Sequence, residues 1–418
     1  MENKIHKENK VHKENKIQNE FIPFARPFIG REEEQAALRV LRSGWLTTGA
    51  EALAFENEFA QFLSVAQKPL PLCLAVNSAT SGLHLALEAC GVGRGDKVLV
   101  PSCTFAATAE AVRYLDADPV FVDTCPGAFN MDPDSLEKAV QRLLPQKAKA
   151  VIPVHFGGLP CNMDAIMEIA CRYGLKVIED AAHAFPAFAA KKENGNKPPV
   201  FAGTVGDIGV FSFYATKTIT TGEGGMVVCR DRAIAKRISL MRLHGIDRTV
   251  WNRYTSANAA WYYQVVEAGF KYNLPDILAA IGRVQLSRAW KLLEMRKEIA
   301  NAYDSAFAND ECFIIPPTGP GDARHLYPLR IQFKKLKMQR DAFIESLKKA
   351  GIGVSVHFIP LHTMPYYKKR YRLKINDFPQ TVKSCSQEIS LPIWPGMKKN
   401  QVNKVIDVVQ SVAKSYTH

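Results

Sequence analysis

The sequence predicts an α/β protein in which a three-layer αβα domain, built on a mostly parallel sheet of about seven strands, precedes a smaller α+β domain. Three observations predict it. From about residue 70 to 230, short apolar runs rich in β-branched residues alternate with segments of helical periodicity, as in a sheet flanked by helices. After Pro316 that alternation gives way to a few strands and amphipathic helices. The length, 418 residues, also exceeds what a single hydrophobic core ordinarily serves.

Taken in order, residues 1–20 form a low-complexity tail. Its six-residue repeat, Glu-Asn-Lys-Ile-His-Lys and two variants, offers one aliphatic side chain per unit. That is too little to fold on, so the tail is expected to be disordered, and His6 and His12 are expected to be solvated rather than to bind metal. The large domain is expected over 21–285 and the small one over 286–418. Strands are expected at Leu72–Val76, Lys97–Pro101, Pro119–Asp123, Ala150–Val154, Lys176–Asp180, Val210–Tyr214 and Met226–Cys229. Between the first two, Leu83, Ala86, Leu87 and Cys90 recur at helical spacing, and Gly91 fits a C-terminal cap. A long helix is expected over Pro275–Met295, bridging to strands at Tyr327–Phe333 and Val354–Phe358 and helices at Met338–Ala350 and Gln401–Lys414.

Composition narrows the function classes. With 47% hydrophobic, 23% charged and 10% aromatic residues, the chain reads as an ordinary globular protein. Its nine cysteines are scattered, with no Cys-x-x-Cys pair and no histidine at zinc spacing, so reduced thiols and no metal site are expected. No apolar run approaches the ~20 residues of a membrane span, which points to the cytoplasm and to no membrane insertion. The net charge of +13 is concentrated between Arg324 and Lys374. It suits a solvated basic face or a groove for a nucleotide diphosphate, and nucleic acid is not expected because no recognisable RNA-binding or zinc-finger motif accompanies it.

The chemistry-bearing residues lie at strand ends. In Phe211-Ser-Phe-Tyr-Ala-Thr-Lys217-Thr-Ile-Thr-Thr-Gly222-Glu-Gly-Gly225 a lysine follows a strand and precedes a glycine-rich turn. Withdrawn from water, such a lysine becomes a neutral amine able to attack an aldehyde or shuttle a proton; left in water, it is an ordinary surface residue. Its partners decide between the two. Asp180 ends the strand Lys176–Asp180, where a carboxylate either pairs with a pyridine nitrogen or caps the next helix. Asn77-Ser-Ala79-Thr80-Ser-Gly82 joins a strand to a helix start, which suits a phosphate or ordinary capping by Ser78 or Thr80.

Together with Ile22-Pro-Phe-Ala-Arg-Pro, Ser43-Gly-Trp-Leu-Thr47-Thr-Gly49, Pro101-Ser-Cys-Thr-Phe105-Ala-Ala-Thr, Glu179-Asp-Ala-Ala-His183-Ala, Gly269-Phe-Lys-Tyr-Asn273-Leu-Pro-Asp-Ile and Leu391-Pro-Ile-Trp-Pro-Gly-Met397, these segments occur in the order found in one family. The chain resembles the DegT/DnrJ/EryC1/StrS sugar-nucleotide aminotransferases, over nearly its whole expected folded length. The resemblance implies an aspartate-aminotransferase-like fold of PLP fold type I. It implies pyridoxal 5′-phosphate held as a Schiff base on Lys217, which also moves the proton between cofactor and substrate carbons. Asp180 would pair with the pyridine nitrogen, His183 would lie near the phenolic oxygen, and Phe105 and Ala182 would sandwich the ring. The amides of Ala79 and Thr80 and the hydroxyl of Ser212 would hold the phosphate. Asn273 would join them from the neighbouring subunit, making a homodimer with shared active sites.

On the substrate side, Thr47, Arg248 and His357 match positions near the sugar or diphosphate in relatives, and each also reads as a turn, surface or packing residue. The resemblance implies transfer of an amino group from an amino acid, glutamate first among them, to a keto carbon of a nucleotide-linked deoxy sugar. The run from Gly269 to Asn273 resembles members acting at C4 of UDP-linked sugars. Two departures stand out: Ala215 and Thr218 replace the Pro and Asn common near the lysine, and residues 191–200 read as a longer surface loop. Two alternatives remain in view. A related sugar dehydratase uses the same cofactor but carries histidine at the lysine position, and a regulatory or DNA-binding relative would use the positive charge.

Overall fold

The computed structural model describes residues 21–64, 69–143, 148–189, 200–247 and 262–416. Two helices, α1 (Arg31–Ser43) and α2 (Ala50–Leu63), lead into the first strand and helix, β1 (Leu72–Val76) and α3 (Ala79–Ala89). The chain then alternates through β2 (Lys97–Pro101), α4 (Ala106–Arg113), β3 (Asp118–Val122), α5 (Pro133–Leu143), β4 (Ala148–Val151), α6 (Met163–Tyr173) and β5 (Lys176–Asp180). A two-stranded ribbon, β6 (Phe188–Ala189) and β7 (Val200–Phe201), precedes β8 (Ile208–Ser212), β9 (Gly225–Cys229) and α7 (Arg232–Met241).

Seven strands form the main sheet in the order β1-β9-β8-β5-β4-β2-β3. β9 runs antiparallel to both β1 and β8, while the pairs β2–β3, β2–β4, β4–β5 and β5–β8 are parallel, so six strands point one way. Alternation along the strands builds the layers. Val98, Val100, Ile208, Val210 and Val227 pack under Leu83 and Leu87 of α3. Their neighbours Phe211, Met226 and Val228 face the other way, against Phe55 and Phe59 of α2, and Leu99 meets Leu136, Val140 and Ile166 of α5 and α6. Each such side chain contributes roughly 1.5–3 kcal/mol on burial, so the alternation fixes register as well as stability.

β4 stops at Val151, short of the expected Val154, because Pro153 has no N–H to give to a ladder. The expected helix over 275–295 is two, α8 (Asp276–Ser287) and α9 (Ala289–Phe307). Arg288 separates them with φ −108° and ψ 4°, its guanidinium drawn to Glu33 of α1. A second sheet follows, β10 (Phe313–Ile314), β11 (Tyr327–Ile331) and β12 (Glu388–Leu391), with α10 (Arg340–Lys349), α11 (Pro365–Tyr371), α12 (Pro379–Gln387) and α13 (Lys399–Lys414). Its core joins Tyr303, Leu329, Phe343, Leu347, Ile389 and Val405, and takes in Ile22 from the start of the described chain. The strand expected at Val354–Phe358 is instead irregular, touching β12 only through a bridge between Ser355 and Ser390, because a carboxylate takes the His357 N–H. All nine cysteines are free, and among the described residues no helix is long and apolar enough to cross a membrane.

Candidate active site

The carboxyl ends of the parallel strands converge on one cavity of about 440 Å³. The turn after β8 brings Lys217 to it. Thr220 and Thr221 both donate back to the Phe213 carbonyl, at 2.9 and 3.0 Å, and the Lys217 amide donates to Tyr214, which coils the segment into the cavity wall. Burial pulls the Lys217 amine down to about 8, Asp180 opposes this, and the cation of Arg296 reinforces it. A substantial neutral fraction therefore exists at ordinary pH, which an exposed lysine would lack.

Asp180, at the end of β5, is 6% exposed. It accepts hydrogen bonds from the Thr108 hydroxyl at 2.9 Å and the Ala182 amide at 3.2 Å. Burial raises its pKa, and those two donors and Lys217 work against the rise. The Gly157 amide donates to Nδ1 of His183 at 3.3 Å. Because that nitrogen accepts, the proton of the neutral ring sits on Nε2, leaving a donor free for the cavity. Burial, with Lys217 and His357, holds this ring well below its ordinary pKa.

On the opposite side, α3 begins at the cavity. Ser78 caps it by accepting from the Ser81 amide at 3.1 Å, so the amides of Ala79 and Thr80, which have no partner within the helix, remain for an anion. Gly225 makes this approach possible: a Cβ there would stand 2.9 Å from the Ala79 nitrogen. Ser212 completes that wall, and Phe105 offers an aromatic face that is 61% exposed.

Of the residues singled out in the sequence, Ala79, Thr80, Phe105, Asp180, Ala182, His183, Ser212, Lys217 and His357 line the cavity together. Thr47 and Asn273 do not. The Asn273 amide donates to Thr48 Oγ1 at 2.5 Å and its carbonyl accepts from Lys271, beside the bridge to Val76 on the outer edge of β1. Thr47 is exposed nearby, its carbonyl accepting from the Asp276 amide at 3.3 Å. Arg248, like the tail histidines and most of the expected 191–200 loop, lies outside the described residues.

Several site residues escaped sequence reasoning. Arg296 of α9 is 2% exposed and donates to the carbonyls of His325, Ile393 and Thr216 at 3.1, 2.9 and 3.3 Å, bracing the lysine turn against the second core. Nothing in an amphipathic helix distinguishes it from a solvated arginine. His325 lines the cavity with its ring 4.7 Å from that of His183, and its Nδ1 is buried without a hydrogen-bond partner. Its place just before the expected strand at Tyr327 was the available signal. Glu388 and Ser390 of β12 contact His357 from behind the wall.

A partly neutral amine, a buried carboxyl, an aromatic face and an anion cradle around one cavity suit a planar, anionic, electron-withdrawing group and a carbonyl compound. The chain is 42% identical to the spore coat polysaccharide biosynthesis protein SpsC of Bacillus subtilis, over 95% of this chain and 98% of that one. Among solved structures it is similar to Spr1654 of Streptococcus pneumoniae, known in PMP and PLP forms. The PMP form matches with a TM-score of 0.83 and 29% identity, over 94% and 100% of the two chains. Helicobacter pylori PseC, an aminotransferase involved in the biosynthesis of pseudoaminic acid, matches with a TM-score of 0.82 and 27% identity, over 95% and 100%. The family profile itself matches residues 27–410, so this chain belongs to the DegT/DnrJ/EryC1/StrS aminotransferase family.

Proposed function

We propose that this enzyme transfers an amino group from an amino acid, glutamate, to the C4 keto carbon of a UDP-linked deoxy sugar, as a cytoplasmic homodimer whose subunits share their active sites. The observation that carries the reading is Lys217, a partly neutral amine in the same cavity wall as the buried carboxyl of Asp180. The cofactor is pyridoxal 5′-phosphate. When bound, it supplies an aldehyde carbon that exchanges amines and a ring that withdraws electrons from the neighbouring carbon.

The residues present fit that group. Lys217 would hold it and then carry the proton between two carbons, a task suited to an amine whose pKa lies near 8. Asp180 would keep the ring nitrogen protonated, the Thr108 and Ala182 donors favouring its charged form. Phe105 and Ala182 would exclude water from the ring faces, and the Ala79 and Thr80 amides with Ser212 would bind the phosphate. His183 would donate its Nε2 proton to the ring oxygen.

The UDP handle and C4 follow from the likeness of Gly269–Asn273 to members that act there, and the basic surplus of +13 suits a nucleotide diphosphate. Glutamate is proposed as the donor on the same family likeness. The dimer is supported by the position of Asn273 outside its own chain's cavity and by exposed Leu38, Leu41, Leu46 and Leu53 on and beside α1 and α2. Purified protein should carry a visible cofactor absorbance that the Lys217→Ala variant lacks; a variant that keeps it would sink the assignment. Mixing the amine-loaded enzyme with UDP-, dTDP- and GDP-linked keto sugars, and recording which restores that absorbance, tests the nucleotide and the sugar.

A further inference from the structure

Behind the cavity wall runs a buried polar chain that the roles above do not use. Glu388 and Ser390 stand two positions apart on β12, so the strand repeat sends both side chains to one face, and both are 0% exposed. The Glu388 carboxyl accepts the backbone N–H of His357 at 2.8 Å through Oε2 and the Ser390 hydroxyl through Oε1. Ser390 Oγ in turn lies 2.8 Å from His357 Nδ1. His357 itself lines the cavity, and Nε2 is the ring nitrogen that Ser390 does not take. The cation acting on Glu388 is Arg340 of α10, with Arg330 as its cross-strand partner on β11, yet burial still pushes the carboxyl up to about 8. Lys217 faces His357, and His183 and His325 share its cavity; burial and Lys217 pull the His357 ring down to about 4, so it rests neutral.

We propose that Glu388, Ser390 and His357 form a proton relay that stores one proton behind the cavity wall and exchanges it with a group bound inside. The hydrogen-bond inventory allows two arrangements. With Glu388 protonated, its Oε1–H donates to Ser390, Ser390 donates to Nδ1, and His357 offers Nε2–H to the cavity. With Glu388 ionised, Ser390 donates to the carboxylate, Nδ1–H donates to Ser390, and Nε2 is a bare acceptor. Passing from the first to the second moves the Nε2 proton to the bound group, the Ser390 proton to Nδ1 and the Glu388 proton to Ser390. One proton leaves, one negative charge remains on Glu388, and no other bond changes. Glu388 and Ser390 are thus positioning residues acting through His357. Use of the relay in amino transfer rests on the aminotransferase reading, since departure of the keto oxygen as water needs a proton and the loading half-reaction returns one. The existence of the relay does not rest on it.

The ring-nitrogen chemical shifts of ¹⁵N-histidine-labelled holoenzyme decide the matter. Wild-type His357 should pass from the Nε2–H to the Nδ1–H form as pH rises through about 8. In Glu388→Gln the amide should donate to Ser390 and its carbonyl should take the His357 N–H, locking Nε2–H at every pH. Ser390→Ala should lose the pH response and Ser390→Thr should keep it, a pair that decides the question even if the Glu388 variant fails to fold. Glu388→Gln and Ser390→Ala should lower kcat on the order of 10²-fold with little change in KM, and Ser390→Thr should recover it. A wild-type tautomer that ignores pH, or a switch that survives in Ser390→Ala, overturns the relay. A normal switch in an enzyme that aminates no keto sugar overturns the functional reading instead.

Discussion

The cavity and the outer edge of β1 carry similar polar chemistry but differ in completeness. In the cavity, Lys217, Asp180, His183 and the Ala79–Thr80 amides come from the ends of three strands, β8, β5 and β1, and face one space. At the edge, Thr48, Lys271 and Asn273 bond one another beside Val76 and are not among the residues that line that cavity. The first arrangement is what a parallel sheet produces by itself, since its strand ends all open on one side. The second would acquire a purpose in the proposed dimer, where another subunit supplies the space, and the difference separates what one chain folds by itself from what assembly would have to add.

That contrast can be broken most directly by mixing variants. Lys217→Ala and Asn273→Ala should each be inactive or severely impaired, Lys217→Ala by more than ~10³-fold. Co-refolded in equal amounts, they should regain about a quarter of wild-type activity, because half the dimers are hybrids and each hybrid has one intact site. No recovery would mean that Asn273 serves its own chain. A second expected effect is on cofactor capture by the apoenzyme. With Lys217 lowered to about 8, its neutral fraction should rise about tenfold per pH unit below that value and level off above it. Stopped-flow rates that keep climbing towards pH 10 would show an ordinary solvated amine.

Arg296→Met removes the cation that lowers Lys217 and strands three carbonyls. It should raise the pH midpoint of cofactor capture and cost about 1–3 kcal/mol in denaturant unfolding. The smallest effect concerns the edge. Asp276 accepts from the amides of Gly49, Glu51 and Ala52 at 2.7, 3.2 and 3.0 Å, tying α8 to the start of α2. Asp276→Ala should cost about 1–2 kcal/mol of stability, measured by thermal melting, while leaving the Lys217 midpoint unmoved.

Much of the cavity was legible in the sequence because its members follow strands. Period-two apolar runs locate the strands, and Asp180, Lys217 and Ala79–Thr80 then fall at their carboxyl ends within a few residues. Phe105, Ala182 and His183 needed the family resemblance, since locally they read as core and turn. Arg296, Glu388 and Ser390 were not legible, because the contacts that define them cross 80, 31 and 33 positions of sequence to Thr216 and His357. The sequence over 275–295 has the pattern of one continuous helix because its apolar periodicity barely changes at Arg288. The break comes from a pairing with Glu33 that lies more than 250 residues away.

By itself, the sequence determined the layered α/β architecture, the strand-end positions of Lys217 and Asp180, and the family, because periodicity, strand-end position and motif order are local properties. Only the tertiary structure decided which polar groups sit behind the cavity wall, which tautomer His183 presents, and that Asn273 lies outside its own chain's cavity. Those depend on desolvation and on hydrogen bonds between distant segments, which local periodicity does not encode.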